Sequence, residues 1–306
     1  MTDKENGLST TIAGNIFTFQ ETSYTLPYFG IETGNLIEPL ETKEFIEVAI
    51  RKGCRCFEVS LFNGNLEIIS QAINDAIDRL NLKRTDIKLI ATVEIQTDDV
   101  AAAVRRQIEE TIDSLHTTFL DVVILRSPYA PGTTDSDTKN KRRRRLAYQE
   151  LEALFCPFFL FFAVERKIRM FGLCNFEFHH IFEIKSFAKY PPSILQLEIH
   201  PHYYREDLIQ FALEEKMFVQ AKNLLGEFHP NFNNDNTIAS VAESKQLTIP
   251  QLLTTWIIHC GFGLMLSVTN VEQLSDAIKA CSVQLSDIEV NKLCKLNKDV
   301  SYCSED

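Results

Sequence analysis

A chain of 306 residues with 45% hydrophobic and 24% charged residues is long enough for two ordinary domains or one large barrel, and this balance excludes a disordered or fibrous protein. A formal net charge of -11 argues against a nucleic-acid partner, because a phosphate backbone repels an acidic surface. The polar start, MTDKENGLSTT, reads as no secretory signal, and the longest apolar run, ALFCPFFLFFAV at 153–164, is shorter than the ~20 residues a membrane-spanning helix needs.

In chain order, residues 14–27 (GNIFTFQETSYTLP) alternate apolar and polar side chains around a polar turn. That pattern predicts a hairpin closing the bottom of a barrel. Short runs of strand character follow at 28–31, 55–60, 87–94, 121–126, 168–173, 194–199, 217–221 and 264–268. Helical stretches lie between them. TKEFIEVAIRKG (42–53) puts Phe45, Val48 and Ala49 on one face and stops at Gly53. DDVAAAVRRQIEETIDSLH (98–116) opens on an aspartate suited to an N-cap and keeps an apolar stripe at i, i+4, i+7. The run KNKRRRR (139–145) reads as an exposed loop entering a helix, with a nuclear signal or phosphate patch as the alternative. REDLIQFALEEK (205–216) and NVEQLSDAIKAC (270–281) are again helical. The last helix is announced by Ser286 with Glu289 three residues on, a capping-box pattern.

Eight strand–helix units without a long break predict a (β/α)8 barrel. The expected organisation is one α/β domain over 1–306, with an N-terminal arm and hairpin at 1–27 and a C-terminal helix and tail at 284–306. A doubly wound open sheet is the competitor, but it is expected to carry a GxGxxG turn after its first strand, and none is present.

Eight cysteines are spread as Cys54, Cys56, Cys156, Cys174, Cys260, Cys281, Cys294 and Cys303. No CxxC or Cys/His spacing points to zinc, so free thiols in a reducing cytoplasm are expected, and no metal. Cys54-x-Cys56 is the only close pair. His200 and His202 raise a metal pair, but no third ligand is near in sequence, and rim residues that orient a loop are the preferred reading. Trp256, in LLTTWIIHCG, is read as core.

The order of motifs resembles the aldo-keto reductase superfamily along nearly the whole chain. FLDVVILRSP is similar to that family's fourth-strand motif, and KIRMFGLCNF to the fifth-strand segment. LQLEIHPHYYREDLIQFALEEKMFVQA is similar to its Gln-x-Glu-x-His-Pro block. LSVTNVEQLSDAI resembles the cofactor-phosphate segment and VQLSDIEVNKL the C-terminal helix. The resemblance implies carbonyl reduction by a nicotinamide dinucleotide. A tyrosine would donate the proton, a lysine paired with an aspartate would tune it, and a histidine would orient the carbonyl.

Carried over residue by residue, those positions read Glu58 for the aspartate, Asn63 for the tyrosine, Val93 for the lysine and Arg126 for the histidine. An amide cannot donate a proton at neutral pH as a phenol can. The expectation is therefore a catalytic set lost at all four places. Asn175 and Gln196 match the residues that hold the nicotinamide amide, or else they satisfy hydrogen bonds at the barrel rim. The ring-stacking tyrosine falls at Lys222. The adenosine-phosphate clamp falls on uncharged Ser267, Val268 and Gln273. No cofactor is expected, and NADPH only if catalysis survives.

Residues 156–163 (CPFFLFFA) interrupt an otherwise smooth helix. Phe, Leu and Pro are what pyrimidine-rich codons encode, so the segment reads as a translated splice-acceptor tract, with a genuine apolar flap as the alternative. Three functions follow. The first is a non-catalytic, protein-binding member, similar to the regulatory (modifier) subunit branch of glutamate–cysteine ligase in glutathione biosynthesis. IETGNL (31–36), VVILRSP and YQELEALF resemble that branch, whereas LEIHPHYY departs from it. Its implied partner is the ligase catalytic subunit, in the cytoplasm. The second is a reductase that draws its proton from Tyr129, His200 or Tyr203. The third is a dinucleotide-binding sensor. Glu58 and Arg126 sit at the ends of alternate strands and are expected to pair across the old active-site floor, with Lys222 as a third member.

Overall fold

The computed structural model describes residues 16–19, 24–155 and 167–303. The segment 156–163 singled out above lies outside the described residues, as does the turn of the hairpin. Eight parallel strands close a barrel in simple chain order: β3 (Phe29–Glu32), β4 (Cys56–Ser60), β5 (Lys88–Val93), β6 (Val122–Leu125), β7 (Phe171–Cys174), β8 (Ile194–Glu198), β9 (Phe218–Lys222) and β10 (Gly263–Ser267). The ring closes where β10 pairs with β3, Leu264 opposite Phe29 and Ser267 opposite Glu32. The expected (β/α)8 barrel is the fold found.

Period two along each strand divides the core into two layers. Cys56, Ile90, Val122, Ile124, Ile194, Phe218 and Met265 fill the inside of the barrel. Phe57, Val59, Leu89, Ala91, Val93, Val123 and Leu125 face outward onto the helices. Cys54 lies in the outer layer and Cys56 in the inner one. Gly172 is required by close packing, since a Cβ there would lie 2.5 Å from the Ile194 carbonyl oxygen on the next strand.

The bottom is plugged by a hairpin of β1 (Ile16–Phe19) and β2 (Tyr24–Pro27), as the alternation at 14–27 predicts. Phe17 stacks on Phe218 with ring centroids 4.5 Å apart, and Phe19, Tyr24 and Leu26 join the inner layer. The Tyr24 hydroxyl donates to Asp121, a buried carboxylate that also accepts from Arg84 at 3.0 Å and from the Leu89 amide at 3.0 Å.

The helices depart from the sequence reading in detail. α1 (Pro39–Arg51) begins three residues before the predicted start because Pro39 fits the first turn, where its missing N–H costs nothing. It ends before Gly53 at φ 98°, as the glycine stop requires. α2 spans Leu66–Arg79. α3 (Val100–Ser114) is not capped by an aspartate side chain, because Asp99 takes a left-handed backbone, φ 40° and ψ 51°, and makes no cap hydrogen bond.

The basic run is not a loop but the first two turns of α4 (Lys139–Leu154). Helical rotation sends its cations to different faces. Arg144 is buried on Glu183 at 2.7 Å, Arg143 holds Asp137 at 2.8 Å, and Arg145 lies 4.8 Å over the Phe187 ring. α5 (Phe178–Lys185), α6 (Glu206–Glu214), α7 (Pro230–Asn233), α8 (Asn236–Ser244), α9 (Ile249–His259) and α10 (Val271–Ala280) follow. α11 (Asp287–Cys294) carries the capping box: the Ser286 amide donates to Glu289 at 2.8 Å and the Glu289 amide to Ser286 Oγ at 3.4 Å. Trp256 on α9 is fully buried. Among the described residues, no helix is long and apolar enough to cross a membrane.

Candidate functional site at the barrel mouth

At the C-terminal ends of the strands the inward positions turn from apolar to polar. Glu32 and Lys222 are the last inward side chains of β3 and β9, Glu58 lies one inward position before Ser60 on β4, and the three meet over the apolar inner layer. Lys222 Nζ lies 2.5 Å from Glu58 and 3.3 Å from Glu32. Gln196 of β8 is fully buried beneath them and donates to the other Glu58 oxygen at 2.7 Å. Two carboxylates on neighbouring strands repel, and one ammonium between them makes the arrangement tolerable. Burial works against charge on Lys222, but the two carboxylates outweigh it and hold the amine firmly protonated. Burial and the neighbouring Glu58 raise the Glu32 carboxyl, against the pull of Lys222. Above this network lies a polar cavity of about 200 Å³, lined among others by Asn63, Thr92, Arg126 and Ser267.

The four positions matched to the family's catalytic set do not form one cluster. Glu58 is buried in the network just described. Asn63 ends a short 3-10 turn and lines the cavity, packed so closely on Gly34 that a Cβ there would come within 3.1 Å of its amide nitrogen. Val93 points away from the mouth into the layer beneath the helices, and Thr92 is the β5 residue that lines the cavity. A single residue of register turns a side chain to the other face, so the lysine-equivalent place was assigned to a residue that cannot reach the site.

Arg126 does not pair with Glu58. It pairs with Glu94 at 2.9 Å and is half-exposed. Val93 and Leu125 are register partners on β5 and β6, so Glu94 and Arg126 follow each other's strands as immediate neighbours. A short hydrated pair beside the strand ends wins over a reach across the barrel, and Lys222 takes the place expected of Arg126.

The alternative proton donors also lie elsewhere. His200 is fully buried on Glu198 at 3.1 Å, Tyr129 packs edge-on against His180 at 5.4 Å, and Tyr203 lies under Arg205 at 5.0 Å. None of them lines the cavity. Asn175 sits exposed on the rim with φ 56°, and its side-chain Oδ1 accepts from the Glu198 amide at 3.2 Å. Neither Asn175 nor Gln196 lines the cavity. In the segment matched to the phosphate clamp, Ser267 accepts from Asn35 at 3.2 Å and Val268 is buried. The Gln273 side chain accepts from the Thr269 amide at 3.0 Å, closing the start of its own helix. That segment carries Glu272 and no cation. A dinucleotide phosphate would meet an acid and a self-capped helix here, and a ring at the mouth would meet Lys222 between two carboxylates.

Two further features escaped the sequence reading. Glu32 could have been found, because alternation through FGIE puts it on the same face as Gly30, inside the barrel. Glu198 is the second. It binds the chain's own tail, accepting from the Ser301 hydroxyl, from the Tyr302 amide at 3.0 Å, from the Cys303 amide at 3.1 Å and from Asn223 at 2.8 Å. Burial opposes its ionisation, but hydrogen bonds from His200, Ser301 and the Tyr302 amide outweigh that and bring it down to about 2. Tyr302 stacks on His229 at 4.3 Å and on His200 at 5.2 Å. Its hydroxyl bonds His202 Nδ1 at 2.9 Å, while His202 Nε2 faces Asp235 at 3.0 Å. Nothing in the sequence spacing links residue 198 to 301–303.

Asp135, His179 and His180 also converge, with His180 Nε2 3.3 Å from the Asp135 carboxylate. The His180 Nδ1 accepts the Glu177 amide at 3.1 Å, which leaves the ring proton on Nε2, the atom a metal would need. Burial and the nearby Arg144 push this imidazole down to about 4. The group is a hydrogen-bonded helix start rather than a metal centre.

A family model described as "Aldo/keto reductase family" matches residues 29–298. Aldose reductase B of Dictyostelium discoideum is 23% identical over 305 residues, covering 95% of each chain. The D-galacturonate reductase of Fragaria ananassa is 24% identical, covering 92% of this chain and 90% of its own. The NADPH-dependent D-xylose reductase of Meyerozyma guilliermondii is 24% identical, covering 83% and 86%. Among solved structures, MGS-M4, an aldo-keto reductase enzyme from a Medee basin deep-sea metagenome library, superposes with a TM-score of 0.78 at 18% identity, covering 95% and 98%. The aldose reductase from Schistosoma japonicum gives 0.75 at 22% identity, covering 90% of each chain. At these identities the solved structures carry the fold alone.

Proposed function

The chain belongs to the aldo/keto reductase family, and from that premise we propose that it is a member that no longer reduces carbonyls and acts by binding a protein partner in the cytoplasm. One observation carries the reading: among the described residues that line the mouth cavity there is no tyrosine, histidine or cysteine. Carbonyl reduction needs a proton delivered as the hydride arrives, and loss of a positioned acid typically costs ~10²–10⁴-fold in rate. Asn63 offers an amide, and Lys222 is held too firmly protonated to give its proton up. The narrower form of the proposal is a regulatory subunit of glutamate–cysteine ligase, with the ligase catalytic subunit as partner. Its support is the sequence resemblance of IETGNL, VVILRSP and YQELEALF.

A second reading, an NADPH-dependent oxidoreductase with altered chemistry, is favoured by the relatives, which are named as reductases. It also has one residue to build on. Glu32 is the cavity carboxyl that burial moves toward neutral pH, so it would be the acid. A sensor that binds the dinucleotide without turnover is the third form.

Trp256, the only tryptophan, separates them. NADPH is titrated against its emission, and NADPH oxidation is followed with an aromatic aldehyde. The proposal expects no turnover above background and only weak binding, together with recovery of a stoichiometric protein partner on affinity purification from the native source. Turnover abolished by Glu32→Gln would establish the oxidoreductase reading. Submicromolar NADPH binding without turnover would establish the sensor.

A further inference from the structure

The segment 298–303 follows α11 with no helix or strand of its own and is held by groups on the barrel rim. The Lys298 and Val300 amides donate to the His202 carbonyl at 3.0 and 3.3 Å. Between them Asp299 takes a left-handed backbone, φ 53°. Lys298 Nζ lies 2.9 Å from His202 Nε2. The Ser301 hydroxyl and the Tyr302 and Cys303 amides then donate to Glu198. Glu198 is buried, whereas Ser301 is exposed. One of the groups that satisfy this buried carboxylate therefore belongs to a residue open to solvent.

Tyr302 and Cys303 in turn hold the loop that follows Lys222. Asn223 and Glu227 take left-handed backbones there, φ 50° and 51°. Residues other than glycine keep that conformation only where their surroundings over-determine it. Asn223 donates to Glu198 at 2.8 Å and to the Cys303 sulfur at 3.0 Å, and its side-chain oxygen accepts from the Glu227 amide at 3.0 Å. The Tyr302 ring packs so closely on Gly226 that a Cβ there would come within 2.7 Å of it. Tail, Glu198 and loop form one latch beside the barrel mouth.

We propose that Ser301 is a phosphorylation site, and that phosphate there releases the strap 298–303 from Glu198 and frees the loop 223–229 next to Lys222. The co-reactant is a nucleoside triphosphate held by a protein kinase. The Ser301 oxygen attacks the γ-phosphorus and a P–O bond forms. The bond from that phosphorus to the β-phosphate oxygen breaks, the nucleoside diphosphate leaves, and the hydroxyl proton passes to a base of the kinase. Because the hydroxyl is spent on Glu198 while the strap is docked, transfer captures the open tail and then blocks its return.

The block is electrostatic. A phosphoserine carries about −1.5 to −2 charges at neutral pH, and beside a carboxylate it disrupts by repulsion and by the cost of losing water. The hydrogen bond to Glu198 is lost with the hydroxyl proton. Lys298 is the one cation of the strap, and it already faces His202 and, at 3.5 Å, Asp235. The latch works in the same way whether or not the mouth reduces carbonyls.

The test uses the full chain with phosphoserine installed at position 301 by amber suppression. Amide hydrogen exchange at Tyr302, Cys303 and Glu227 should speed up by about tenfold or more over the unmodified chain, since a hydrogen bond to a charged group is lost and a repulsion added. Trypsin must draw the Lys298 side chain into its own pocket, so cleavage after Lys298 should accelerate with it, at unchanged circular dichroism. Ser301→Gln supplies bulk without charge and should accelerate both by less. Phosphopeptide mapping of the chain purified from its native source should find phosphate on Ser301. Exchange no faster in the phosphorylated chain than in Ser301→Gln, release of the strap that leaves the Glu227 amide protected, or a native protein unmodified at Ser301 overturns the proposal.

Discussion

Lys222→Met removes the one ammonium that separates Glu32 from Glu58 and keeps a side chain of similar length. Glu58 is 8% exposed and Lys222 22%, so the pair is mostly desolvated. Removing one partner of a buried pair costs ~3–5 kcal/mol, and the partial exposure of Lys222 puts this case at about 3. With an m-value of about 3 kcal/mol/M for urea, the midpoint should fall by roughly 1 M.

The pH dependence identifies the cause. Burial already raises the Glu32 carboxyl, and Lys222 is the main opposing influence. Without it, the shared carboxylates bind a proton more tightly when folded than when unfolded. Stability is then retained below the unfolded carboxyl pKa and lost as pH rises through the folded one. The deficit should therefore be large at about pH 8 and shrink at about pH 5. Glu58→Gln in the Lys222→Met background should restore most of it, because the amide keeps a polar contact to Gln196 without the charge. Urea unfolding at the two pH values measures all of this. A deficit under about 1 kcal/mol, or one that is the same at both pH values, would mean that water and not Lys222 solvates the two carboxylates, and the argument would fail.

Two further outcomes follow from the same reasoning. Glu198 is nearly buried and falls to about 2 from an ordinary 4.5. It thus contributes about 3 kcal/mol above the unfolded pKa, lost as pH falls toward 2, and Glu198→Gln should flatten that acid limb and speed hydrogen exchange at the Tyr302 and Cys303 amides. An unchanged acid limb would show that the tail is held by Tyr302 stacking alone. In the basic run, Arg144→Ala should cost about 2 kcal/mol because the partly buried Glu183 loses its partner, while Arg142→Ala on the exposed face should stay within about 0.5. Equal shifts in melting temperature would contradict the division of the run into faces.

Alternation and helical period along the chain determined the barrel, because each depends only on which neighbours in sequence share a face. Those local rules placed the hairpin at 14–27, the eight strands, the Gly53 stop and the Ser286–Glu289 box. That Asn63 stands where the family's pattern has a phenol is implied by the motif resemblance and not by any period. What the local rules could not settle is which inward side chain meets which across the ring. Glu58 reads equally well as a partner of Arg126 or of Lys222, since both sit at strand ends and both are cations. Only the closed register put Glu94 beside Arg126 and left Lys222 to the two carboxylates. Val93 shows the same limit at one-residue scale: the motif suggested it, but the pleat turned it outward. The union of Glu198 with residues 301–303 lay beyond sequence altogether, because such contacts are fixed by where the folded helices return the chain and leave no periodicity behind.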